Sequence, residues 1–105
     1  MKMLIAYVAV LWLAMWITTG LAADNSQIAI DSFKFTPQSL TVKAGATVTW
    51  INKDDVPHTI VSTTKKFRSP VLDVDKKFSY TFKDPGTYEY FCSVHPQMTG
   101  KVIVQ

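Results

Sequence analysis

The only cysteine of the chain lies in the run YFCSVHPQMTG, residues 90–100, where Cys92, His95 and Met98 follow one another at three-residue steps. The only other histidine is His58, just after DDVP. Set aside Met1, Met3 and Met15 near the N-terminus, and these four are every Cys, His and Met in the sequence. A thiolate and two imidazoles in a plane, with a weak axial thioether, form a donor set suited to a copper ion that changes oxidation state. Soft sulfur favours Cu(I), imidazole accommodates Cu(II), and a compromise between them keeps rearrangement small.

Taken singly, each residue has an ordinary explanation. A buried Cys behaves as a small hydrophobe and a Met fills gaps in a core, while a lone His is most often a surface or satisfied core residue. Jointly those explanations require all four to fall into a ligand pattern by accident. Structural zinc sites use Cys and His without thioether, so Met98 argues against zinc. A binuclear copper centre needs a second cysteine. A cysteine hydrolase would pair Cys92 with a histidine, but no oxyanion hole or substrate pocket is indicated. The site residues are therefore His58, Cys92, His95 and Met98, all metal-ligating, with one copper per chain and no catalytic residue.

Such a site needs rigid elements to carry it. Beyond residue 23 the sequence reads as short β-branched and aromatic runs between turn signals. The expected strands are Gln27 to Phe35, SLTVK, ATVTWIN, HTIVS, Phe78 to Phe82, TYEYFC and GKVIVQ. Ala44–Gly45, NKDD and KDPG are read as turns, and Thr63 to Lys77 as a loop without periodicity. About seven strands with no helical period predict an all-β Greek-key sandwich. In it Cys92 ends a strand, SVHPQM folds back around the ion, and His58 approaches from a neighbouring strand. Trp50, Phe78, Tyr80 and Phe82 are assigned to the core.

The first 23 residues do not belong to that domain. MKM supplies a positive charge, Leu4 to Ile17 is apolar throughout, and TTGLAAD is rich in small residues. This is the layout of a secretory signal peptide, with cleavage expected after Ala22 or Ala23. An uncleaved anchor is the alternative, since about twenty mostly apolar residues just span a bilayer. Either way residues 24–105 form one exported domain, which in an oxidising compartment makes a lone thiol worth explaining. The formal net charge of +3, part of it in the leader, is too weak for a nucleic-acid partner.

The stretches FKFTPQSLTVKAGATVTWINKDDVPHTIVS and FSYTFKDPGTYEYFCSVHPQMTGKVIV, with the short C-x₂-H-x₂-M loop, resemble a cupredoxin of the plastocyanin–azurin kind, in particular the small amicyanin-like blue copper proteins. The resemblance implies His58, Cys92 and His95 as strong ligands and Met98 as the axial one. It also implies a periplasmic electron carrier that is not an enzyme and acts as a monomer. Redox donor and acceptor are expected to dock transiently around His95, Pro96, Val56 and Pro57, with Gln97 beside them. A copper storage or delivery module is the alternative function, and membrane contact is expected only if the leader is retained.

The sequence departs from typical amicyanins in three places. Thr59 stands where an Asn commonly ties the two ligand loops, so its hydroxyl is expected to take over that link. Val94 stands where Pro precedes the second histidine, and its N–H is expected to donate to the Cys92 sulfur. The N-terminal region and the Thr63 to Lys77 segment look shorter than in amicyanin proper.

Overall fold

A computed structural model describes residues 23–105. The leader reading therefore lies outside the described residues, except for Ala23, which opens the first strand. Seven strands follow: β1 (Ala23–Asp31), β2 (Lys34–Thr36), β3 (Ser39–Asn52), β4 (Val61–Ser62), β5 (Lys77–Phe82), β6 (Gly86–Phe91) and β7 (Thr99–Val104). No helix occurs among the described residues.

The strand count agrees with the expectation, but the cuts differ in three places, one being that HTIVS keeps only Val61–Ser62 as strand. The run Gln27 to Phe35 is not one strand. A two-residue turn at Ser32–Phe33 folds it into β1 and β2, paired antiparallel with Asp31 opposite Lys34. Conversely, Ala44–Gly45 does not end a strand. Gly45 takes φ +93°, a conformation that glycine adopts without penalty, and the 14-residue β3 passes through it.

That passage lets β3 serve both halves of the sandwich. Its first residues, Ser39 to Val42, pair parallel with β7. Its later residues pair parallel with β1 and antiparallel with β5. The ladder runs β2-β1-β3-β7-β6-β4, with β5 on the other edge of β3. It folds back so that Trp50 of β3 meets Tyr90 of β6 edge-on, ring centroids 5.4 Å apart.

Period-two alternation then decides what points inward. On β3 the buried positions are Val42 and, beyond the bend, Ala46, Val48, Trp50 and Asn52. On β6 the inward register runs Tyr88, Tyr90 and on to Cys92, which is fully buried. Trp50 and Phe82 are core residues as expected, whereas Phe78 and Tyr80 pack against the core half-buried. Fully burying a side chain of the Phe82 or Ile28 kind contributes about 1.5–3 kcal/mol, so this cluster anchors the frame on which the site sits.

Candidate metal centre

Asn52 is the last inward residue of β3, and it turns a strand end into a scaffold. Its Nδ2 donates to the carbonyls of Val56, at 2.9 Å, and Leu72, at 2.8 Å. Its Oδ1 accepts the N–H of Asp54 at 2.9 Å. These bonds shape the loop that delivers His58, whose backbone is bridged antiparallel to Leu72. The aperiodic segment after Ser62 is thus held by a buried side chain and by isolated bridges instead of a strand.

The second loop closes on itself. The N–H of His95 donates to the Cys92 carbonyl at 3.2 Å and that of Met98 to the His95 carbonyl at 2.9 Å. The N–H of Cys92 in turn donates to the Met98 carbonyl at 3.0 Å. Two consecutive turns therefore return the chain to β7 with Cys92, His95 and Met98 on one short circuit. Met98 is buried in the core cluster.

The two loops bring three donors together. Cys92 Sγ lies 3.7 Å from His58 Nδ1 and 3.8 Å from His95 Nδ1. All three donor atoms fall within 4.8 Å of one another. A first-row ion with bonds of about 2.0 Å to nitrogen and about 2.3 Å to sulfur, in a trigonal plane, separates N from S by roughly 3.7 Å. Both sulfur–nitrogen separations match that value.

Two groups besides the ligands orient the donors, and the first of them, Asp54, is not singled out by the sequence reading. Asp54 Oδ2 accepts a hydrogen bond from His58 Nε2 at 2.8 Å, inside the protein. With Nε2 carrying the proton, Nδ1 presents its lone pair towards sulfur; a carboxylate behind a ligating imidazole also raises its basicity. The other bonds to this carboxylate come from backbone N–H groups, Ser32 to Oδ1 at 2.8 Å and Phe33 to Oδ2 at 3.0 Å. Burial alone would raise the Asp54 pKa, but these two donors and His58 hold it below the usual range. The clue in the sequence is an Asp four residues before His58, with nothing to distinguish it from its neighbour Asp55.

The second group is Thr59. Its Oγ1 accepts the N–H of Ser93 at 2.8 Å and shares a hydrogen bond with the Ser93 hydroxyl at 2.7 Å. The hydroxyl therefore ties the two ligand loops, as expected. The N–H that reaches sulfur is not that of Val94. It belongs to Thr59, at 3.4 Å from Cys92 Sγ. Thr59 sits on the segment beside sulfur, and within the tight turn from Cys92 to His95 the amide that acts on sulfur is that of His95.

Comparison with known proteins agrees with this geometry. The family model of the cupredoxin-like domain matches residues 4–104. The chain belongs to the cupredoxin-like family. It is 36% identical to the amicyanin of Paracoccus versutus over 88 residues, covering 79% of this chain and 67% of the relative. It is 34% identical to the plastocyanin of Scenedesmus fuscus over 102 residues, covering 85% and 99%. Among solved structures, a purple cupredoxin from Nitrosopumilus maritimus superposes with a TM-score of 0.73 at 35% identity, covering 76% of this chain and 99% of that one.

The sulfur of this cupredoxin is primed for a metal. Burial pushes the Cys92 thiol pKa up, but the N–H of Thr59, both imidazoles and the N–H of His95 outweigh it and bring it from 9.0 down to about 6. A folded-state pKa below the unfolded one adds stability that is fully present above the unfolded value and is lost as pH falls through the folded one. The melting temperature of the copper-free protein is therefore expected to drop as pH is lowered from about 9 to about 6. Cys92→Ser should flatten that slope; an unchanged slope in the variant, followed by thermal melting, counts against a native thiolate.

Of the residues expected around the docking site, most reach solvent. Pro57 and Pro96 are exposed, as is Gln97, while Val56 and His95 are half-buried. Two residues absent from the expected collar join it. Val94, next to His95, is 49% exposed, and Phe33 is 50% exposed. The Phe33 ring stands edge-on to His95, centroids 4.9 Å apart.

Proposed function

We propose that this cupredoxin is a one-electron carrier whose mononuclear type I copper would be held by His58, Cys92, His95 and Met98. The observation that carries the reading is the preassembled triangle of one sulfur and two Nδ1 atoms at 3.7 and 3.8 Å. Copper in that triangle supplies a Cu(II)/Cu(I) couple. The chain's own residues supply rigidity: Asp54 fixes the His58 tautomer, Thr59 couples the loops and donates to sulfur, and the core fixes Cys92. Donors that barely move between oxidation states suit a carrier that exchanges electrons without transforming a substrate.

Redox donor and acceptor dock in turn on the apolar face around His95, Pro96, Val56 and Pro57, where the imidazole edge reaches solvent. A small, weakly charged patch favours brief encounters. The protein works as a monomer in the periplasm, delivered there by the leader over residues 1–23. A storage or delivery role is less well supported, because such work favours exchangeable, open sites, and Cys92 and His58 are both fully buried.

Addition of Cu(II) to the purified protein tests the reading by visible absorption and electron paramagnetic resonance. An intense blue band with narrow copper hyperfine splitting is expected, and Cys92→Ser should abolish both. A pale spectrum or rapid copper loss would transfer the protein to the delivery class.

A further inference from the structure

The turn between β1 and β2 is built against local preference. Both of its central residues have left-handed backbone, Ser32 at φ 53° and Phe33 at φ 60°. Two-residue hairpin turns of this kind normally carry Asn, Asp or Gly, because a Cβ at positive φ is disfavoured. A bulky aromatic there is an outlier, and strain of this sort persists where the surroundings over-determine it and tends to mark functional positions. Here the surroundings are identifiable. The N–H groups of Ser32 and Phe33 both donate to the Asp54 carboxylate, at 2.8 and 3.0 Å. The same carboxylate accepts a hydrogen bond from His58 Nε2 at 2.8 Å.

The strained turn places the Phe33 ring against the metal-binding face. The phenyl is edge-on to His95 at 4.9 Å and to His58 at 5.6 Å between centroids. His58 is walled in by protein on all sides, but His95 is only half-buried. Among the described residues, no side chain hydrogen-bonds its Nε2 in the way Asp54 bonds that of His58. The phenyl contact supplies what that imidazole lacks.

We propose that Phe33 is a positioning residue for His95, and that Asp54 thereby sets both ligand imidazoles: His58 by a direct hydrogen bond, His95 through the strained turn and its aromatic ring. Edge-to-face contact between rings restrains orientation while leaving the imidazole edge open to a partner. The proposal deepens the copper reading and rests on it.

The test compares Phe33→Gly, Phe33→Asn and Phe33→Tyr. Glycine and asparagine tolerate the left-handed backbone, so the turn survives loss of the ring; tyrosine keeps the ring. Histidine ring signals are followed by nuclear magnetic resonance in the copper-free and Cu(I)-loaded protein, and electron self-exchange is measured beside them. Loss of the ring should broaden the His95 signals selectively, leave those of His58 sharp and slow self-exchange by about tenfold, within the range that misplacement of a reacting group produces. Phe33→Tyr should restore both. Unchanged His95 signals in the Gly and Asn variants overturn the proposal, even if self-exchange falls, because Phe33 would then be only a docking contact. A wild-type protein without the blue band would instead sink the copper reading, a failure recognisable before any variant is made.

Discussion

Asp54→Ala should cost this cupredoxin about 3 kcal/mol of stability and lower its copper affinity 10- to 100-fold. The stability loss follows from what the carboxylate leaves behind. His58 Nε2, with its ring fully buried, loses its acceptor at 2.8 Å. A fully buried donor left unpaired costs about 1–3 kcal/mol, and the N–H groups of Ser32 and Phe33, in an exposed turn, lose their acceptor as well at a smaller cost each. Water can reach part of the vacated space, which keeps the total towards the lower end of that sum. The affinity loss has a separate origin: without the acceptor, His58 is free to move its proton to Nδ1, the atom that faces sulfur. Asp55→Ala is the matched control, since Asp55 is exposed and surface substitutions usually stay within about 0.5 kcal/mol. Thermal melting of the copper-free protein and competitive copper titration measure the two effects independently. If Asp54→Ala binds copper as tightly as Asp55→Ala, the carboxylate does not orient the imidazole.

The contrast between those two aspartates shows what could be read in the chain beforehand. Cys92, His95 and Met98 declare themselves because soft donors are rare and their spacing is tight, and His58 because no other histidine remains. Alternating aromatic and β-branched runs likewise reveal the strands. What stays hidden is whatever depends on a distant partner. The turn at Ser32–Phe33 contains neither Gly nor Asn, and its N–H groups find their acceptor 22 and 21 residues further on, so Gln27 to Phe35 looks like one uninterrupted strand. Gly45 is misleading in the opposite sense: its positive φ serves a bend within β3, where local composition signals an end. The sulfur's N–H donor follows the same rule. A reading confined to the Cys92 loop points to Val94, but the donor, Thr59, is 33 residues away.

Gly100→Ala should be damaging for a reason that no feature near residue 100 announces. Gly100 faces Tyr90 across the β6–β7 ladder, and the tyrosine ring lies over it. A Cβ at residue 100 would stand 2.5 Å from Tyr90 Cζ and 2.8 Å from Cε1, well inside van der Waals contact. A surface ring could swing aside, but this one is held edge-on by Phe35 at 4.8 Å and by Trp50 at 5.4 Å. Forcing extra volume into a packed core costs about 1–3 kcal/mol, and a ring without room to yield belongs at the top of that range. The damage should also travel. Tyr90 lies two residues before Cys92 on the same inward face, so displacing it shifts the strand that carries the sulfur, and the blue band should move or weaken along with the melting temperature. A double-mutant cycle isolates the cause. In a Tyr90→Leu background the space above Gly100 is open, and adding Gly100→Ala should then cost less than half of what it costs in the wild type. Equal costs in both backgrounds would show that the penalty arises in the backbone of β7 and not in the contact with the ring.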